Sequence, residues 1–314
     1  MKLSIVATLY QSARYISEFY GRVVEVAQSA AGSDYEIIFV NDGSPDDSLG
    51  QAIQLAMHDS HVIVVDLSRN FGHHKAMMTG LSQASGEMIF LIDSDLEEDP
   101  EWLIPFAQQM ASQQCDVVYG VQQSRKGNWF ERSSGDLFYR IFNALSGMNL
   151  PRQQVTARLM TRRYVDALLL HQEREIFIVG LWHLTGYDQR PHTVKKHGSS
   201  QTSYTLRKKF SLMINAVTAF SNAPLIWIFN VGLAISLLSA CYVLYIILSW
   251  LFFTRPIMGW TSVMASIWLV GGMIICFMGI IGIYLSRMFV EIKQRPYTII
   301  RKIYRDTVNS NEQT

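Results

Sequence analysis

Two long stretches of this sequence contain no Asp, Glu, Lys or Arg: Phe210 to Thr254 and Pro256 to Ser286, interrupted only by Arg255. Crossing a hydrocarbon core takes about 20 apolar residues. Each stretch suffices, and spans are expected near Leu225 to Phe252 and Val263 to Tyr284. Trp250, Phe252, Phe253 and Trp260 fall around the joint, where aromatic side chains suit a lipid–water interface. A buried helix pair in a soluble protein is the competing reading, and this pattern disfavours it. Arg207, Lys208 and Lys209 precede the first run, and Arg287, Lys293, Arg295, Arg301, Lys302 and Arg305 follow the second. That asymmetry predicts a multi-pass protein with both termini cytoplasmic. Phe210, Met213, Ile214, Val217 and Phe220 recur at helical spacing, which predicts an interfacial amphipathic helix over 206–222, a core-facing helix being the alternative.

Composition narrows the class. Hydrophobic residues make up 49% of the 314 and charged ones only 17%, so the chain is neither disordered nor charge-rich in the manner of most soluble proteins. Its 27 basic and 26 acidic residues nearly cancel, which removes the electrostatic case for nucleic acid as a partner. Cys115, Cys241 and Cys276 are widely spaced and suggest neither a disulfide framework nor a zinc site. The opening segment turns polar by Gln11, too early for a secretory signal, so the part before the apolar runs is expected to stay on the side where it is made.

That part alternates short apolar, β-branched runs with helical patterns. Leu3–Ala7, Tyr35–Val40, Val62–Asp66 and Met88–Ile92 read as strands of a mainly parallel sheet covered by helices, with a fifth strand around Tyr119-Gly120-Val121. Ligands of such sheets bind beyond the carboxyl ends of the strands. There the sequence places Asn41-Asp42-Gly43-Ser44 after strand two, Ser68-Arg69-Asn70-Phe71-Gly72-His73-His74 after strand three, and Asp93-Ser94-Asp95-Leu96-Glu97-Glu98-Asp99 after strand four. Asp93, Asp95 and Glu97 are spaced to converge on a hard divalent cation. Asp99-Pro100-Glu101 also reads as a helix start, and the loop lacks the glycine of an EF-hand. His73 and His74 diverge on a helix and are assigned to the rim of the site rather than to a shared metal.

The order of Val40-Asn41-Asp42-Gly43-Ser44, Arg69-Asn70-Phe71-Gly72 and Asp93-Ser94-Asp95-Leu96-Glu97, followed by two carboxyl-proximal spans, resembles the inverting, family-two glycosyltransferases of GT-A fold. Within them it is similar to the polyprenyl-phosphate glycosyltransferases. The resemblance implies a cytoplasmic GT-A domain over 1–205, the interfacial helix over 206–222, a two-helix transmembrane domain over 223–286 and a basic cytoplasmic tail over 287–314, in a bacterial inner membrane. It implies transfer of one sugar from a nucleotide-sugar, a UDP-sugar before GDP-mannose, to undecaprenyl or a similar polyprenyl phosphate, feeding envelope polysaccharide or lipopolysaccharide modification. Mg²⁺ or Mn²⁺ would be held by Asp93, Asp95 and Glu97, the last standing where the family usually has glutamine. Tyr10, Asn41, Asp42 and Arg69 would serve the nucleotide, while Arg125 and Arg158 are placed for an anionic substrate. Ser203, Tyr204 and Arg207 would grip the lipid phosphate. Asp95, Arg158 and Thr156 are the expected catalytic positions, and a homo-oligomer is expected by precedent, with Gly282 and Ser286 at a spacing suited to helix association.

Two departures stand out. Thr8-Leu9-Tyr10-Gln11-Ser12 replaces the family's usual Pro-x-Tyr-Asn-Glu turn. Thr156, in Val155-Thr156-Ala157-Arg158-Leu159-Met160, replaces an aspartate regarded as the base. A threonine hydroxyl is no general base at neutral pH. Either the reaction does not need that carboxylate, which an anionic phosphate acceptor favours, or the protein is altered in activity. The alternatives are a catalytically silent scaffold of the same fold and a saccharide-elongating membrane enzyme.

Overall fold

The computed structural model describes residues 2–122, 153–196, 221, 223–252 and 259–305. They fall in two units, one built from both ends of the sequence around a sheet, the other from apolar helices.

In the first unit the β-branched runs form strands because they are buried on both faces. The strands β1 (Leu3–Leu9), β2 (Tyr35–Asn41) and β3 (Val62–Leu67) are buried at every position. Between them run α1 (Ile16–Ala31) and α2 (Ser48–His58), and α3 (His73–Gln83) leads into β4 (Met88–Asp93). A 3-10 turn at Pro100–Trp102 opens α4 (Leu103–Gln113) and is followed by β5 (Val117–Gln122). Then come β6 (Gln154–Thr161), α5 (Arg162–Leu169), α6 (Ile178–Leu184) and β7 (Gln189–Val194).

The eight strands form one sheet in the order β7-β5-β6-β4-β1-β2-β3-β8, in which β8 is Ile300–Tyr304. The neighbours β4, β1, β2 and β3 are parallel, β6 runs antiparallel to both β4 and β5, and β5 pairs parallel with β7. The sheet is therefore mixed rather than simply parallel. One face is closed by a core that includes Phe19, Phe39, Phe90 and Phe106. Because the chain turns from β1 toward β2 on one side and returns to β4 on the other, a crevice opens at the carboxyl ends of β1 and β4.

One boundary changes. The region expected to be a basic tail supplies β8, which pairs antiparallel with β3 at the edge of the sheet. Ser68 N donates to Ile299 O at 2.9 Å, extending the pairing. Arg301 Nη1 lies 3.3 Å from Asp66 Oδ2, and Asp66 is only 1% exposed. An edge strand tolerates such charges because its outer side faces water.

The second unit contains α7 (Ala223–Phe252) and α8 (Trp260–Ile292). Tyr284 Oη donates to Ser221 O at 2.7 Å within it. Among the described residues one segment, Leu269–Ile292, is long and apolar enough to cross a membrane, and Ala223–Ile235 is a shorter apolar one. The expected interfacial helix over 206–222 lies outside the described residues except for Ser221.

Candidate active site

Position 93 is the last residue of β4, and its carboxylate meets groups from two other elements. The antiparallel register pairs Leu91 with Arg158, and two steps on it brings Thr156 across from Asp93. Thr156 Oγ1 donates to Asp93 Oδ2 at 2.8 Å. From the start of α3, His73 Nε2 lies 3.2 Å from Asp93 Oδ1, while His73 Nδ1 is 3.0 Å from Thr8 Oγ1 at the end of β1. His73 therefore sits across the crevice between β1 and β4. His74 turns away and bonds Ile176 O, as divergence on a helix requires. Burial disfavours the charged form of Asp93, but the His73 ring and the Thr156 hydroxyl outweigh it and hold its carboxyl below the usual range. Burial would likewise lower His73, and Asp93 reverses that.

Between the two aspartates Ser94 points inward, donating to Thr8 O at 2.8 Å, so the loop is pinned to β1. Asp95 Oδ1 accepts from Glu97 N at 3.0 Å. Burial, followed by the charges of Asp93 and Glu97, pushes Asp95 up. Leu96 takes a φ of 59°, the strained reversal between them. Asp99 and Glu101 leave the cluster altogether, bound to Arg22 at 2.7 Å and 2.8 Å.

Two residues that sequence reasoning did not single out complete the cluster. Glu98 is fully buried, and its carboxylate accepts from the backbone N–H groups of Thr156 at 2.9 Å and Ala157 at 2.8 Å. Burial and the nearby Asp93 push its carboxyl up to about 8. Lys196, just beyond β7, places Nζ 2.9 Å from Glu97 Oε2 and 3.8 Å from Glu98 Oε1. Glu98 was visible only as one of many acidic residues; nothing near Lys196 in the sequence marks its partner.

Asp93, Asp95 and Glu97 were expected to hold a cation together. Glu97 is instead paired with Lys196, and among the described residues no three His, Cys, Asp or Glu side chains are gathered to hold a metal. The two aspartates still fit one. Asp93 Oδ1 is buried and lacks a hydrogen bond, the His73 contact being close but misaligned. Mg²⁺ is ordinarily held by one or two carboxylates plus substrate phosphates rather than by a complete protein cage.

Beside the cluster lies a cavity of about 280 Å³ lined by His73, Glu98, Gln122, Thr156, Trp182 and Lys196, among others. Arg158 does not reach it in the manner expected. Its side chain is fully buried with the guanidinium over the Trp182 ring, and Nε donates to Thr156 O at 3.3 Å. Burial lowers its pKa to about 9, and neither terminal nitrogen has a hydrogen-bond partner among the described residues. Arg158 backs the cavity wall.

The positions expected to serve the nucleotide are also brought to the strand ends. Asp42 is 2% exposed, and its oxygens accept from Phe71 N at 2.7 Å and Gly72 N at 3.0 Å. Its carboxylate thus orders the 69–72 loop rather than facing outward. Gly43, at φ 59°, lets that loop approach: a Cβ there would stand 2.4 Å from Asn70 N. Asn41 donates to Asp66 Oδ1 at 2.8 Å and accepts from Ser44 N at 3.2 Å. Tyr10 is half exposed, and Arg69 stacks on Phe71 at 4.1 Å. Arg125, Ser203, Tyr204 and Arg207 lie outside the described residues.

A doubly wound sheet with a carboxylate pair at its switch point, beside a cavity, is the layout of a glycosyltransferase of GT-A type. Residues 4–169 match the profile of glycosyl transferase family 2, and the chain belongs to that family. It is 48% identical over 312 residues to "Putative glycosyltransferases" of Mycobacterium tuberculosis, covering 99% of this chain and 91% of that one. It is 30% identical to "SfII prophage-derived bactoprenol glucosyl transferase" of Shigella flexneri, covering 97% of this chain and 99% of that one. A crystal structure of S. aureus TarS 1–349 in complex with UDP-GlcNAc is 19% identical with a TM-score of 0.47, covering 70% of this chain and 66% of that chain.

Proposed function

We propose that the protein transfers a single sugar, with inversion, from a nucleotide-sugar to a polyprenyl phosphate at the cytoplasmic face of a bacterial inner membrane. The observation that carries this reading is the likeness, along almost the whole chain, to a bactoprenol glucosyl transferase. The apolar segment Leu269–Ile292 supports a membrane setting. Two spans with both termini cytoplasmic follow from the uncharged runs and their basic flanks.

In this reading Asp93 and Asp95 hold Mg²⁺ or Mn²⁺, which when bound neutralises charge on the departing nucleoside diphosphate. Asp42, Gly43 and Asn41 set the loop that meets the nucleotide. Thr156 orients Asp93, and its hydroxyl takes no proton from the acceptor. None need be taken, since a phosphate monoester is already anionic near neutral pH and requires alignment above all. Glu98 fixes the start of β6, keeping Thr156 in register, and Arg158 with Trp182 shapes the wall on the acceptor side. Envelope polysaccharide or lipopolysaccharide decoration is the pathway class such a product would feed, and the donor we favour is a UDP-sugar.

The test is incubation of the purified protein with undecaprenyl phosphate, Mg²⁺ or Mn²⁺ and a panel of nucleotide-sugars. A lipid-linked monosaccharide is expected from one donor. Longer saccharides would mark an elongating enzyme. Because Thr156 replaces a carboxylate, a silent scaffold is the second reading, and nucleotide binding without turnover would establish it.

A further inference from the structure

The cavity beside the acidic cluster is lined by two kinds of polar side chain, which differ in what they already hold. Its ionisable groups are engaged with the protein: Lys196 lies 2.9 Å from Glu97, Glu98 accepts from the backbone of Thr156 and Ala157, His73 lies 3.2 Å from Asp93, and His74 bonds Ile176 O. Its amides are not. Gln122, Gln153 and Gln154 line the same cavity, each partly exposed, and among the described residues their side chains make no hydrogen bond. Two contacts bring them together at adjoining strand ends: Val121 of β5 pairs with Gln154 of β6, and Gln122 N donates to Gln153 O at 3.1 Å. Gln153 is also held at φ 67°, a conformation that glycine adopts freely and that a Cβ disfavours. A turn that required only this backbone is better served by glycine, so a glutamine there implies a use for its side chain.

An amide offers two donors and one acceptor and carries no charge, which matches the hydroxyl groups of a neutral sugar. A carboxylate on the ligand would face Glu98, and an ammonium would face Lys196. Either would be desolvated beside groups whose counter-charges are already engaged. We propose that Gln122, Gln153 and Gln154 are specificity-determining residues that read the hydroxyl groups of the transferred sugar, and that this sugar is an uncharged hexose. This rests on the reading of the chain as a nucleotide-sugar transferase and names what its cavity selects.

The test is isothermal titration of the full-length protein in detergent with Mn²⁺, using UDP and GDP as free nucleotides and UDP-glucose, UDP-galactose, GDP-mannose and UDP-glucuronate as donors. Wild type is compared with Gln122→Met, Gln154→Met and Gln153→Gly, each checked by a thermal melt. Wild type is expected to bind one of the neutral donors in preference to UDP-glucuronate. Each variant is expected to bind that donor about fivefold more weakly, the loss of one hydrogen bond, and its free nucleotide within about twofold of wild type. Gln153→Gly separates the proposal from a structural role, because glycine relieves the backbone: its melting temperature should not fall, while its affinity for the donor should. Preference for UDP-glucuronate, refusal of every neutral donor by a protein that binds UDP or GDP, or unchanged donor affinity in the three folded variants would overturn the inference and leave the nucleotide reading standing. Failure of folded wild type to bind either nucleotide would overturn both.

Discussion

Thr156 illustrates how one residue is held at two points. Its hydroxyl hydrogen-bonds Asp93, and its backbone N–H is held by Glu98, so side chain and backbone together fix the position. A hydrogen bond to a charged acceptor contributes roughly 1.5–3 kcal/mol. Thr156→Val keeps the shape and loses that donor, and steady-state kinetics should show kcat lowered about tenfold or more with donor KM little altered. Away from the site, Glu36 shows the same chemistry in a purely structural role. It is 6% exposed and bonded by Ser4 and Ser85, which together with Lys2 overcome the effect of burial and hold its carboxyl below the usual range. A carboxylate depressed in the folded state stabilises above its unfolded pKa of about 4.3 and loses that contribution as pH falls through the folded value. The melting temperature should therefore drop on acidification below about pH 4, and Glu36→Gln should flatten that drop while lowering stability at pH 7. The gathering of Asn41, Asp42, Asp93 and Asp95 at strand ends was legible from their order along the chain. The partners of Glu97 and the burial of Arg158 were not, because both depend on side chains brought from distant strands and helices.

At the scale of elements, the first four strands could be read because double burial forces continuous β-branched runs, and each extends only slightly beyond its expected limits. The last strand could not. Ile300-Arg301-Lys302-Ile303-Tyr304 carries adjacent charges and no clean alternation, which suits an edge strand and equally a solvated tail. Its return matters for the site, since Arg301 faces Asp66, and Asp66 in turn accepts from Asn41 at the end of β2, where the proposed donor loop begins. Arg301→Ala removes the cation beside a buried carboxylate, at a cost on the order of 1–3 kcal/mol, and also a bond to Ser68 O. Differential scanning fluorimetry should record a lower melting temperature, and the donor KM should rise. An unchanged KM would disconnect β8 from the donor loop.

For the whole molecule, the sheet unit gathers both ends of the sequence, with the apolar helices inserted between them as a second unit. In the proposed function such an insertion would place apolar helices between two parts of the sheet unit along the sequence. The division into a sheet part and an apolar part was legible from charge alone; the return of the chain to the sheet was not, since it depends on pairing with β3. The central claim is that the acidic pair after β4 drives transfer of sugar to a polyprenyl phosphate. Its most direct test compares wild type and Asp95→Asn, both shown to be folded and membrane-inserted, for radiolabelled sugar extracted into organic solvent from reactions containing undecaprenyl phosphate. The account predicts labelled lipid with the wild type and loss of nearly all of it with Asp95→Asn; equal labelling by the two proteins, or none from the wild type with any donor, would contradict it.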